Sequence, residues 1–202
     1  MTGVRAGRVV EVAPERLAGW RERFAVANPE GPQRLGGLER FDHDPLAVVL
    51  VRRGGYAVGL AEAGRLVAHK VGTRHVQSRT AAGGWSQQRF ARRRANQADA
   101  LVGAVRDHAV RLLSGVGATA SGGGLPSGAG LRGDDVRPPT AGLVVGGDRA
   151  LVAEVLADAR LAALAALPRR ELYDLPDPRL DVLRRAVERG RAVRVTVHDA
   201  SP

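Results

Sequence analysis

The 202 residues suffice for one well-buried domain, and a formal charge of +10, from 31 basic against 21 acidic side chains, suits a polyanionic partner. Cysteine is absent, which excludes a disulfide framework, a thiolate metal site and a cysteine nucleophile. No stretch approaches the roughly 18 consecutive apolar residues of a membrane span, and the start Met1-Thr2-Gly3-Val4-Arg5 carries no apolar leader, so the expectation is a cytoplasmic protein without a membrane partner.

Lys70 is the only lysine, so the basic set is almost wholly arginine. GC-rich coding bias accounts for much of that usage, but the net excess remains, and planar guanidinium forks suit RNA or DNA phosphate. The aromatic residues are only Trp20, Trp85, Tyr56, Tyr173, Phe24, Phe41 and Phe90. Base-stacking platforms are hard to build from so few, and the core must be aliphatic.

In chain order, residues 9–12 suit a short strand, and Pro14-Glu15 then opens a helix, with proline in the first turn where its missing N–H costs nothing. Leu17, Trp20, Phe24 and Ala27 recur at helical spacing, and the run from Asn28 to Pro32 stops that helix. Three β-rich runs follow at 47–52, 56–62 and 65–74, separated by Arg53-Gly54-Gly55 and Ala63-Gly64, as in antiparallel strands joined by tight turns. Residues 77–84 have neither period nor propensity and read as a loop. A long helix is predicted over 86–113, with Leu101, Val102, Val105, Ala109 and Leu112 as its apolar stripe. Residues 114–139, rich in glycine and ending in Pro138-Pro139, hold too little apolar surface to fold alone and read as a mobile insertion.

The last third alternates: a buried-strand run at 140–145, a turn at Gly146-Gly147-Asp148, a helix over 149–157, a second apolar run at 161–167, a helix over 178–189 and a last strand at 192–197. Three antiparallel strands followed by alternating helices and strands describe a single α/β domain over residues 1–202. Its sheet should be mixed, because strands joined through helices normally pair in parallel, and ribonuclease-H-like folds share that order.

Most catalytic patterns are absent: there is no G-x-x-x-x-G-K-[ST], no G-x-S-x-G and no H-E-x-x-H. His43, His69, His75, His108 and His198 fall at no metal-ligand spacing and read as ordinary strand or surface histidines, so no metal is expected. Gly146-Gly147-Asp148 resembles part of a phosphate-binding turn, but the full glycine motif is missing and Asp148 would repel an anion. A structural turn with an aspartate cap is the simpler reading. A metal-dependent nuclease would need converging carboxylates, and Asp44, Asp99 and Asp148 leave a weak version of that open.

The run Gly83-Gly84-Trp85-Ser86-Gln87-Gln88 is different. Gly83-Gly84 lets the backbone approach another molecule closely, Ser86 can cap the long helix, and Gln87 and Gln88 stand at the positive end of its dipole. Arg89, Arg92, Arg93 and Arg94 follow within six residues. An uncharged amide tip on a basic stalk suits an RNA-lined cavity. A glycine-rich turn, a serine cap and a solvated basic helix face remain the plain alternative.

These residues resemble the Vms-like release factor (VLRF) family, in particular its actinobacterial branch, whose domains are similar to the middle, Gly-Gly-Gln domain of the eukaryotic and archaeal class-one release factor. The family has a Gly-Gly-Ser-Gln-like tip before a long helix; here Trp85 is an extra residue, so Gln87 and Gln88 both remain candidates for the glutamine. The segments Asp158-Ala159-Arg160-Leu161 and Asp177-Pro178-Arg179-Leu180 resemble the family's closing strand and helix. The resemblance implies a release-factor middle-domain-like fold and a peptidyl-tRNA hydrolase in rescue of stalled ribosomes. It implies the large ribosomal subunit, at its peptidyl-transferase centre, and peptidyl-tRNA as partners, a loop glutamine that positions water, no cofactor and a monomeric protein. Arg89, Arg92, Arg93 and Arg94, with Arg74 and Arg79, would meet RNA phosphate. A non-catalytic RNA- or ribosome-binding module is the other reading, ahead of the nuclease.

Overall fold

The computed structural model describes residues 7–29, 31–73, 86–116 and 140–199, with residues 86–97 as helical backbone. In chain order the elements are β1 (Arg8–Val12), α1 (Leu17–Ala27), β2 (Gln33–Glu39), β3 (Leu46–Arg52), β4 (Gly55–Glu62), β5 (Arg65–Thr73) and α2 (Ser86–Leu113). They continue with β6 (Gly142–Gly147), α3 (Arg149–Leu156), α4 (Ala162–Ala165), β7 (Arg169–Glu171), α5 (Leu180–Arg191) and β8 (Val193–Asp199). Contacts group them into two compact units, residues 43–187 and residues 1–42 with 188–202.

The larger unit holds a five-stranded mixed sheet in the order β5-β4-β3-β6-β7. β3, β4 and β5 are antiparallel neighbours, while β3–β6 and β6–β7 pair in parallel. The run Leu46 to Val51 in the central strand β3 is buried throughout because helices cover both faces of the sheet. On one face, Ala47, Val49, Val51, Tyr56, Val58, Leu143 and Val145 meet Leu101, Val102, Val105, Ala109 and Leu113 of α2, together with α3. On the other, a Cβ on Gly59 would come within 3.1 Å of Leu183, which brings α5 against β4. Each Val or Leu so buried contributes on the order of 1.5–3 kcal/mol.

Two strand expectations change. The apolar run 161–167 is not a strand: Leu161 ends a 3-10 turn, α4 follows, and Leu161 and Leu164 face the core at helical spacing. The strand that extends the sheet is the polar β7, Arg169–Glu171. The last strand, β8, does not join the mixed sheet either. It lies between β1 and β2, antiparallel to both, in a separate three-stranded sheet of the smaller unit. β2 gives no sequence signal, since Gln33–Glu39 is exposed nearly throughout and interrupted by Gly36-Gly37.

The small sheet packs Val12, Val193 and Val195 against Leu17, with Trp20 at the margin. Glu11 accepts from Arg189 at 2.6 and 3.1 Å and from Arg194 at 3.4 Å. The Arg189 bond holds its carboxyl below the usual carboxylate range, against the opposing pull of burial.

Candidate functional site

β5 ends at Thr73 and α2 begins at Ser86. Arg74, Arg79, Gly83, Gly84 and Trp85 lie outside the described residues, as do residues 117–139 of the expected insertion. Ser86, Gln87, Gln88, Arg89, Arg92, Arg93 and Arg94 occupy the first turns of α2. Backbone N–H groups at that end lack intrahelical acceptors, and the helix dipole is positive there.

α2 has 28 residues, hence a length of about 42 Å. Ala98 touches the core, and Leu101, Val102, Val105, Ala109 and Leu113 are buried in it. Leu113 rather than Leu112 completes the stripe, Leu112 being only partly buried. Gln87 precedes the buried Leu101 by about 21 Å along the helix axis, at 1.5 Å per residue.

Polar contacts add to the apolar seat of α2. Arg106 donates to the Glu154 carbonyl at 2.6 Å and lies 3.9 Å from its carboxylate. Arg160 spans Asp158, at 2.7 Å, and Asp107 on α2, at 3.2 Å. The Arg160 side chain, helped by the Arg160 backbone N–H, holds the Asp158 carboxyl down to about 2. His108 stacks on Tyr56 with ring centroids 5.6 Å apart. Burial, seconded by Arg111 and Lys70 and opposed by Asp107, lowers the His108 pKa, while burial raises that of Tyr56. A Cβ on Gly72 would overlap the Tyr56 ring, so this glycine makes room for the tyrosine at the end of β5.

Sequence reasoning passed over these supporting residues. His108 looks like a surface histidine because its partner, Tyr56, is distant in sequence, and Arg106 and Asp107 interrupt the apolar stripe as solvated charges would. Asp158 and Arg160 belong to the segment that carries the family resemblance, but the contact of Arg160 with Asp107 is a tertiary one.

The carboxylates of the nuclease reading do not converge. Asp44 precedes β3 and accepts from the Ala63 N–H at 3.0 Å, whereas Asp148 follows β6 at the opposite end of the sheet. The paired stretch between them corresponds to roughly 17–20 Å. Asp99 is exposed on α2. No group of three or more histidine, aspartate or glutamate side chains arranged to hold a metal ion occurs among the described residues. Asp148 caps α3, accepting from the N–H groups of Ala150 at 3.0 Å and Leu151 at 3.3 Å, as the structural reading of that turn expects.

The model of the Actinobacteria/chloroflexi VLRF1 release factor family matches residues 44–196, about three quarters of the chain. No curated protein matches.

Proposed function

This chain belongs to the Actinobacteria/chloroflexi VLRF1 release factor family, and from that premise we propose that it is a peptidyl-tRNA hydrolase in the rescue of stalled ribosomes. Membership itself carries the broader role in translation termination or ribosome rescue, at the ribosome. The finer reading is supported by one structural observation: Gln87 and Gln88 stand in the first turn of the long helix α2, where the helix dipole is positive and backbone N–H groups lack intrahelical acceptors. In this proposal the packed half is the base and the first turns are the working tip.

The chemistry asks little of the protein. Peptidyl-tRNA carries an activated ester that the ribosome already orients, so the factor has to place a water and stabilise the developing oxyanion. The amide of Gln87 or Gln88, or its backbone N–H, serves both ends without a titrating group or a cofactor. Gly83, Gly84 and Trp85, with Ser86 at the start of α2, carry it into the peptidyl-transferase centre. Arg89, Arg92, Arg93 and Arg94, with Arg74 and Arg79, contact ribosomal or tRNA phosphate. The protein acts as a monomer in the cytoplasm, and no helix among the described residues is long and apolar enough to cross a membrane.

The test is peptide release from peptidyl-tRNA on large subunits. Gln87→Ala should keep ribosome binding and lose release by about 10²-fold or more, the scale of one missing water-positioning or oxyanion group; Gln88→Ala gives the same result if the second glutamine is the acting one. Wild-type release rates in both variants would remove the hydrolase reading and leave a ribosome-binding module.

A further inference from the structure

β3, β6 and β7 are mutually parallel, and β5 runs the same way because β4 is antiparallel to both β3 and β5. Their carboxyl ends therefore share one end of the sheet. The exits diverge there: β3 turns through Arg53-Gly54 into β4 on one side, while β6 passes through Asp148 into α3 and on to β7 on the other. Diverging exits leave a crevice between the two strands, the position at which α/β sheets bind ligands. A cleft of about 360 Å³ lies at this point, lined by Arg52, Arg53, Gly54, Gly147, Asp148 and Asp177. Its volume is at the lower end of the ~300–1,000 Å³ usual for small-molecule sites.

Two of the four charges are committed to the fold. Arg52 donates to the Leu175 carbonyl at 2.5 Å, and the Asp148 carboxylate is taken up by the α3 amides. That cap also occupies N–H groups that a phosphate at the helix start would need. What remains is an exposed cation, Arg53, beside a carboxylate, Asp177, whose side chain is 71% exposed and whose ion pair with Arg52 is long at 3.9 Å. Gly54 leaves the mouth open, since a Cβ there would meet nothing within 4 Å.

A bare anion on Arg53 would face the Asp177 carboxylate across the cleft. A ligand with an anionic group at one end and hydrogen-bond donors at the other matches both Arg53 and Asp177. We propose that the cleft holds one nucleotide of single-stranded RNA, its phosphate on Arg53 and its ribose 2′-hydroxyl on Asp177. The choice of RNA over another ligand of this polarity rests on the release-factor reading. It also fits the place: Gly55, next to the Arg53-Gly54 turn, pairs with Thr73, the last residue of β5 before the segment that leads to the glutamines.

The test is fluorescence anisotropy of the full chain with a short labelled oligoadenylate, as RNA and as DNA, across a salt series. Arg53→Ala should weaken RNA binding by about tenfold and reduce the salt slope by about one, with Arg53→Lys restoring most of the slope. Asp177→Asn should weaken RNA more than DNA, because exchanging the carboxylate for a weaker, neutral amide acceptor at the 2′-hydroxyl matters only to RNA. Wild-type affinity in Arg53→Ala, or no RNA binding by the wild-type chain, overturns the proposal. Loss in Arg53→Ala with Asp177→Asn indifferent also overturns it, in favour of a plain phosphate contact. The assay contains neither ribosome nor ester, so its failure would leave the hydrolase reading standing, and inert glutamine variants would not touch its result.

Discussion

At the end of the five-stranded sheet where β3 begins, the chain is tied to itself. His43 Nδ1 lies 2.9 Å from the Thr140 carbonyl, the Asp44 carboxylate accepts from the Ala63 N–H at 3.0 and 3.1 Å, and Gly142 donates to the Pro45 carbonyl at 3.0 Å. At the other end β3, β5, β6 and β7 all run out, the cleft opens between Arg53 and Asp177, and β5 leaves toward the glutamines. Side chains at the first end are bonded to the backbone of neighbouring segments, while at the second Arg53 is left to solvent. The contrast separates an end that holds the sheet from an end that is free to bind, both built on the same buried strands.

The open end still has a hard floor. Gly147 has φ +99°, and a Cβ on it would strike the Val51 carbonyl oxygen on the neighbouring strand. Gly147→Ala should therefore cost at least about 2 kcal/mol, of which roughly 1–2 kcal/mol is the positive-φ backbone and the rest overlap with a strand that cannot yield. Urea denaturation measures it. Wild-type stability in this variant would mean that the open end is as soft as its loops and that the comparison is misdrawn.

The tied end carries a smaller, opposite effect. Ala63 and Gly64 form the β4–β5 turn with φ of 46° and 75°, so an alanine sits where glycine is at home. The Asp44 bond to its N–H holds it there. Ala63→Gly should raise stability by up to about 1 kcal/mol, the left-handed cost of alanine less the extra entropy of glycine in the unfolded chain. A loss of stability by the same urea measurement would show that this turn is not strained.

The fold was legible where burial left a pattern. Leu46 to Val51 reads as a strand because both its faces are covered, the turns at Arg53-Gly54 and Ala63-Gly64 mark its antiparallel neighbours, and α2 shows its stripe from Leu101 onward. β7 hides because Arg169–Glu171 is polar, although Arg170 is buried to 3% exposure. The run 161–167 misleads because a short apolar segment fits a strand or a buried helical turn equally well. β2 has no buried face to impose alternation, and the antiparallel pairing of β8 depends on strands at the far end of the sequence. Of the candidate site, the tip motif lies in the sequence itself. Its base does not, since Tyr56 under His108 and Arg160 beside Asp107 are contacts that only the folded chain assembles.

The smallest effect concerns the joint between α2 and the open end. Tyr56 pairs with Val51 and Gly72, both close to the strand exits, and its ring carries His108. Burial and the cations Arg111 and Lys70 disfavour the imidazolium, with Asp107 the one charge that favours it. The folded pKa is therefore below the unfolded value of about 6.5. Above that value both states hold a neutral ring and the contribution to stability is complete. As pH falls below it, the unfolded chain takes up a proton that the folded chain refuses, and stability declines until the folded pKa is passed. The carboxyl of Asp158 acts in a separate window, between its usual 3.8 and about 2. His108→Phe keeps a ring on Tyr56 and removes the titration, so stability measured by urea between pH 7 and pH 5 should fall less steeply than in the wild type. Equal slopes would mean that His108 is no better shielded in the fold than in the unfolded chain, and that the seat of α2 owes nothing to its protonation state.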